Sequence, residues 1–134
     1  MERLFDRDYR ALGEIFEFTR RFTTDHRFEE SLTYSINLIV EELFTNMVKH
    51  NAGGGQPVRI QLDVEGGRLR IELTDEDVDP WDPGQAPEVR LDRPIEERTP
   101  GGLGLHLVRA LADEIEYDYK DRRMRVTVIK RLER

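Results

Sequence analysis

The chain contains no cysteine, which excludes disulfide cross-links, thiolate nucleophiles and cysteine-ligated metals. Its three histidines, His26, His50 and His106, are far apart and show no metal-ligand spacing. No apolar run approaches the ~18 residues of a membrane-spanning helix, and the charged start MERLFDRDYR has no signal-type hydrophobic segment. Basic residues form no block, and 21 Lys and Arg against 28 Asp and Glu leave a formal net charge of -7. Binding along a nucleic-acid backbone is therefore not expected, although a small anion could still be held locally. These absences point to a soluble, cytoplasmic protein with neither nucleic-acid nor membrane partners. Repeats and linker-like boundaries are missing as well, so residues 1–134 read as a single domain.

Most of what is present is periodic. Residues 9–24 read as an amphipathic helix with Leu12, Ile15, Phe16, Thr19 and Phe22 on one face. Residues 29–50 give the strongest helical pattern, with Leu32, Ile36, Ile39, Val40, Leu43, Met47 and Val48 as its stripe. Gly53, Gly54 and Gly55 place its end near Asn51. Val58–Val64 and the run of Leu69, Ile71 and Leu73 alternate with period two around the turn Glu65-Gly66-Gly67, the pattern of an antiparallel hairpin with one buried face. Five of the six prolines fall within residues 75–100, which form a long acidic loop that contains Trp81. A helix follows with Leu105, Leu107, Val108, Leu111 and Ile115 as its apolar positions, then a strand over Ile115–Tyr119, a turn at Lys120-Asp121-Arg122 and a last strand over Arg122–Leu132. A short strand before the first helix has little support. This order needs no parallel crossover, and the predicted fold is α+β, a two-layer sandwich of a mostly antiparallel sheet with helices on one face.

Three features carry chemistry. Glu42, Asn46 and Lys49 lie at i, i+4 and i+7 on the second helix, with His50 adjoining, so a carboxylate, a carboxamide and an ammonium share one stripe. An amide oxygen is a hard neutral ligand for Mg²⁺, a carboxylate one turn earlier can take a proton, and a lysine can neutralise a phosphate oxygen. Surface helices also carry such stripes as plain solvated charge. The run Gly101-Gly102-Leu103-Gly104 precedes a helix, where backbone N–H groups favour an anion. It is neither a Walker loop nor a dinucleotide fingerprint, and a simple helix entry would look the same. Asp75 ends the second hairpin strand, where a carboxylate can accept a hydrogen bond from an exocyclic amine such as that of adenine. It can equally be one member of the acidic group Asp75, Glu76, Asp77 and Asp79.

The order of these features resembles the GHKL-type ATPase domains, the Bergerat or histidine-kinase-like ATPase fold. Within them it is similar to the small serine/threonine kinases that act as anti-sigma factors. The matching residues are Val40-Glu41-Glu42-Leu43-Phe44-Thr45-Asn46-Met47-Val48-Lys49-His50, Pro80-Trp81-Asp82-Pro83, and Arg98-Thr99-Pro100-Gly101-Gly102-Leu103-Gly104-Leu105-His106-Leu107-Val108. The resemblance covers about residues 9–132 and implies ATP and Mg²⁺ as cofactors, Glu42 as general base and Asn46 as metal ligand. It further implies nucleotide contacts at Asn46, Lys49, His50, Asp75, Gly101, Gly102, Leu103, Gly104 and Leu105, with a lid over about 77–100. The implied reaction is transfer of the γ-phosphoryl group to a serine or threonine of a small antagonist protein. A sigma factor or other regulator is implied as a sequestered target, and a homodimer as the assembly.

Two departures stand against the resemblance. The family's Asp-x-Gly is here Asp75-Glu76-Asp77, which sets a side chain and a charge where glycine leaves room for a base. The short N-terminus leaves little of the family's first strand. Two functions follow as alternatives: an ATP-dependent protein kinase that also sequesters a regulator, or a non-catalytic partner-binding module with weakened or lost nucleotide binding. A phosphotransfer histidine kinase is not expected, because no helical hairpin with an acceptor histidine precedes the domain.

Overall fold

A computed structural model describes residues 1–50, 56–79 and 102–132. The elements run β1 (Glu2–Phe5), a 3₁₀ turn (Tyr9–Ala11), α1 (Leu12–Asp25), α2 (Glu30–His50), β2 (Val58–Glu65), β3 (Arg68–Asp75), α3 (Gly102–Leu111), β4 (Glu114–Lys120) and β5 (Arg123–Arg131). The strands form one antiparallel sheet in the order β1-β2-β3-β5-β4. The α+β architecture is the one expected. The expected end of α2 beyond His50, Trp81 and the lid from residue 80 to 100 lie outside the described residues.

Turn chemistry sets the register. Gly66 and Gly67 join β2 to β3 with φ of 58° and 75°, the left-handed pair that suits the twist of a two-residue hairpin. The β4–β5 hairpin uses the same geometry without glycine, at Asp121 (φ 54°) and Arg122 (φ 61°). From these turns the period of two places Leu69, Ile71 and Leu73 on the helix side, all fully buried. Across the sheet Ile60, Leu62, Val126 and Val128 continue that apolar layer. Alternation was expected to leave the other face polar and wet. Yet Glu72 is 9% exposed, because Arg70 (2.9 Å) and Arg125 (3.2 Å) close over its carboxylate. Long arginine stems cover area that a shorter polar side chain would leave open.

α2 supplies the helical half of the core with Ile36, Ile39, Val40, Leu43, Phe44 and Met47, each at most 2% exposed. Two details differ from the periodic reading. The first helix begins as a 3₁₀ turn capped by the Asp8 carboxylate, which accepts from the Arg10 N–H at 2.8 Å, so α1 proper starts at Leu12. On α1 the buried aromatic is Phe18 rather than Phe16, which is 51% exposed. Phe18 meets Phe5 of β1 edge-on, with ring centroids 5.4 Å apart. The weakly signalled first strand is therefore present, and its Phe5 packs against the aromatic that α1 buries.

This packing gives opposite outcomes for two phenylalanines. Phe44→Ala removes a fully buried ring and should cost about 3–5 kcal/mol, whereas Phe16→Ala should stay within ~0.5 kcal/mol of the wild type. Urea unfolding followed by circular dichroism measures both.

Candidate functional site

Two inward-facing positions at one end of the molecule are polar. On β3 the sequence Leu69, Ile71, Leu73 is completed by Asp75, which keeps the same period and is fully buried. Its cross-strand neighbours are Val58 on β2 and Met124 on β5, both apolar and buried. On α2 the inward surface ends in Asn46, 2% exposed. Neither residue is on the solvated face where a bland charge or amide belongs.

Arg7, from the segment between β1 and the 3₁₀ turn, joins the two. Its Nη1 donates to the Met47 carbonyl at 3.1 Å, and its guanidinium forms a buried ion pair with the Asp75 carboxylate. The Met47 carbonyl lies toward the C-terminal end of α2, where a cation is favoured. Burial lowers the Arg7 pKa from its ordinary value, but an arginine remains charged in a protein. Sequence reasoning missed Arg7. One arginine among many carries no local signal of burial.

Along α2, the Asn46 Nδ2 donates to the Glu42 main-chain carbonyl at 2.6 Å, which leaves its Oδ1 as the remaining ligand atom. Glu42 is half-buried. Burial, and then the adjacent Glu41 charge, raise its pKa, so its carboxylate is more basic than a solvated one. His50 is pushed the other way, by burial and then by Lys49, which favours the neutral imidazole. Lys49 and His50 form the exposed end of α2.

α3 starts at Gly102 rather than after the glycine run, so Gly102, Leu103, Gly104 and Leu105 make its first turn. Gly101 lies outside the described residues. The direction of α3 follows from its far end. Leu111 O accepts from Lys130 Nζ at 2.8 Å, and Asp113 and Lys130 share a cleft with Ser31, Leu32 and Ser35 at the start of α2. Because α3 packs against α2, it runs back along α2 in the opposite sense. Its N-terminus, with unpaired N–H groups and a positive dipole end, thus points toward the end that holds Asn46 and Asp75.

Asp77 adopts φ 53°, the left-handed conformation that glycine favours. Its carboxylate faces outward to Arg122 Nε at 2.9 Å. Arg122 also holds Asp79 at 3.0 Å, and its carbonyl accepts from the Val78 N–H at 3.0 Å. The Tyr119 hydroxyl donates to the Val78 carbonyl at 2.7 Å. The start of the long loop is thereby pinned to the β4–β5 turn, with the Asp77 charge on the surface.

A sequence profile described as the histidine kinase-like ATPase domain matches residues 5–130. The serine/threonine-protein kinase BtrW of Bordetella bronchiseptica is 30% identical over 96 residues, which is 71% of this chain and 68% of that protein. Among solved structures, the RsbU and RsbW domains of Rv1364c from Mycobacterium tuberculosis superpose with a TM-score of 0.72 at 16% identity, covering 100% of this chain and 32% of that one. The SiaB–SiaC complex from Pseudomonas aeruginosa gives a TM-score of 0.69 at 13% identity over 96% of this chain and 88% of the other. At these identities the two structures speak for the fold.

Two substitutions check this geometry. Asp77→Gly removes a surface ion pair and a left-handed side-chain residue together, so its thermal midpoint should be unchanged or slightly raised; a fall of more than ~4 °C would show that the Asp77 side chain is needed. Glu42 has a raised folded-state pKa, so the stability tied to its protonated form is lost as pH rises through that value. Glu42→Gln should therefore be more stable than wild type at neutral pH, and the difference should vanish as pH falls through the ordinary glutamate range. Thermal melts across pH measure it.

Proposed function

Since the chain belongs to the histidine kinase-like ATPase family, we propose that it binds Mg-ATP at the Asn46–Asp75 end and acts as an anti-sigma-type serine/threonine kinase on a small partner protein. The observation that carries this reading is the convergence of a buried amide on α2, a buried carboxylate on β3 and the glycine-bearing start of α3. The relation to a serine/threonine-protein kinase covering about two thirds of both chains supports the reaction class.

The residues suit the groups they would hold. Asn46 offers one hard neutral oxygen, and among the described residues no cluster of three or more His, Asp or Glu could hold a metal alone. Such a site fits Mg²⁺ that arrives with phosphates and keeps its waters. Mg-ATP would supply the transferable phosphoryl group. Glu42, made more basic by burial, would take the proton of the attacking hydroxyl. Lys49 and His50, at the described end of α2, would lie toward the phosphates, Lys49 offering them positive charge. The N–H groups of Gly102, Leu103, Gly104 and Leu105 at the start of α3 would hold the phosphates. Asp75 would receive the amino group of the base. The antagonist protein supplies the hydroxyl, a sigma factor or other regulator is the bound target, and a homodimer is the assembly in which this occurs.

Isothermal titration of the full chain with Mg-ATP tests binding, and no heat above background at millimolar nucleotide overturns the reading. Glu42→Gln should bind ATP like the wild type and lose at least ~100-fold in phosphoryl transfer. Normal transfer by that variant would remove Glu42 from its role, and binding without transfer in the wild type would favour the non-catalytic module.

A further inference from the structure

Strand alternation sends Leu69, Ile71, Leu73 and Asp75 of β3 to the inner face. Carried two residues further, it would send the Asp77 carboxylate there as well, beside Asp75. The chain does otherwise. β3 ends at Asp75, Asp77 turns left-handed at φ 53°, and its side chain is 69% exposed. The register that pairs Asp75 with Met124 brings Asp77 opposite Arg122 in the β4–β5 turn. Arg122 donates from Nε to Asp77 at 2.9 Å and from Nη1 to Asp79 at 3.0 Å, and Arg123 beside it holds Glu76 at 2.8 Å. Between the two aspartates Val78 is buried, with its N–H on the Arg122 carbonyl and its carbonyl on the Tyr119 hydroxyl. Exposed ion pairs contribute little to stability. What this one sets is the position and the net charge of two carboxylates that directly follow Asp75.

We propose that Arg122 is a positioning residue for an anionic ligand: by holding and neutralising Asp77 and Asp79, it keeps their charge from opposing a triphosphate at the Asn46–Asp75 end. This rests on the nucleotide reading above and adds a residue to it. Two residues of chain reach at most about 7 Å, so Asp77 lies within the ~10 Å over which charges act at 0.1 M salt. Two carboxylates without a cation at that range repel a polyanion and lower its local concentration. The guanidinium cancels part of that field, since its planar fork faces both carboxylates at once. It also holds a backbone conformation that a residue with a side chain disfavours. Without Arg122 the Asp77 backbone is free to extend along β3, and extension aims the carboxylate inward, beside Asp75. Both effects act through Asp77, and both weaken binding of a phosphate chain.

The test is a double-mutant cycle between Arg122 and Asp77. Binding of Mg-ATP is measured by calorimetry at low and at high salt on the wild type, Arg122→Met, Asp77→Asn and the double variant. At low salt Arg122→Met should bind about fivefold more weakly than the wild type. At roughly 0.5 M salt the two should agree within about twofold, because screening removes the repulsion. Asp77→Asn alone keeps a side chain that tolerates the left-handed backbone and should bind within about twofold of the wild type. Added to Arg122→Met, it should restore low-salt binding to within about twofold of the wild type, because the charge that Arg122 answers is gone. A loss that persists at high salt, or that the double variant keeps, marks a merely structural role and overturns the proposal. Should Arg122→Met fail to fold, Arg122→Gln is read in the same way. Wild-type affinity in Arg122→Met at low salt overturns the role of Arg122 while nucleotide binding stands. Absence of Mg-ATP binding by the wild type overturns both.

Discussion

Burial of one stripe of α2 against the sheet sets the rotation of that helix, and with it the aim of every polar group the helix carries. Ile36, Ile39, Val40, Leu43, Phe44 and Met47 are all shut off from water, and at ~1.5–3 kcal/mol for each large side chain no rotation that exposed them could compete. With that rotation imposed, Asn46 has to lie inward beside Leu43 and Met47. Glu42 is left on the border of the buried face, half-covered, with its acid weakened by burial. The chemistry of the helix is a by-product of its packing angle.

The sheet imposes the matching constraint from below. Period-two alternation puts position 75 on the same face as Leu69, Ile71 and Leu73, so a carboxylate there must be buried. An isolated buried carboxylate would cost several kcal/mol, and an ion pair with further hydrogen bonding is the usual remedy. Arg7 supplies the charge, and by also reaching the Met47 carbonyl it joins α2, β3 and the N-terminal segment at one point. The β4–β5 turn steadies the neighbouring loop start through Arg122. The glycine expected at position 77 is therefore replaced by an aspartate that keeps the glycine conformation and turns its charge to solvent. Asp and Asn tolerate that conformation better than other side chains.

Element types, their order and the α+β class were legible in the amino-acid sequence, because strong period-3.6 and period-2 patterns are local and the Gly66-Gly67 turn sets a register by itself. The motif residues Glu42, Asn46 and Asp75 were legible too, as residue types at a spacing. Less legible were the swap of Phe18 for Phe16, the covered face over Glu72 and the start of α3 at Gly102. The first two depend on what packs across from the residue, β1 and two arginine stems respectively, and the third on how far a helix extends into glycines that neither favour nor forbid its first turn.

The linear chain thus determined which residues could do chemistry and on which kind of element each one sits. Tertiary structure alone decided that Arg7, from the N-terminal segment, is the partner of the buried Asp75, and that α3 returns antiparallel to α2 with its N-terminus toward them. Periodicity reports only how a residue faces its own element. Burial, ion pairing and helix direction depend on contacts between segments as much as 68 residues apart, as the Arg7–Asp75 pair is, and no local pattern encodes them.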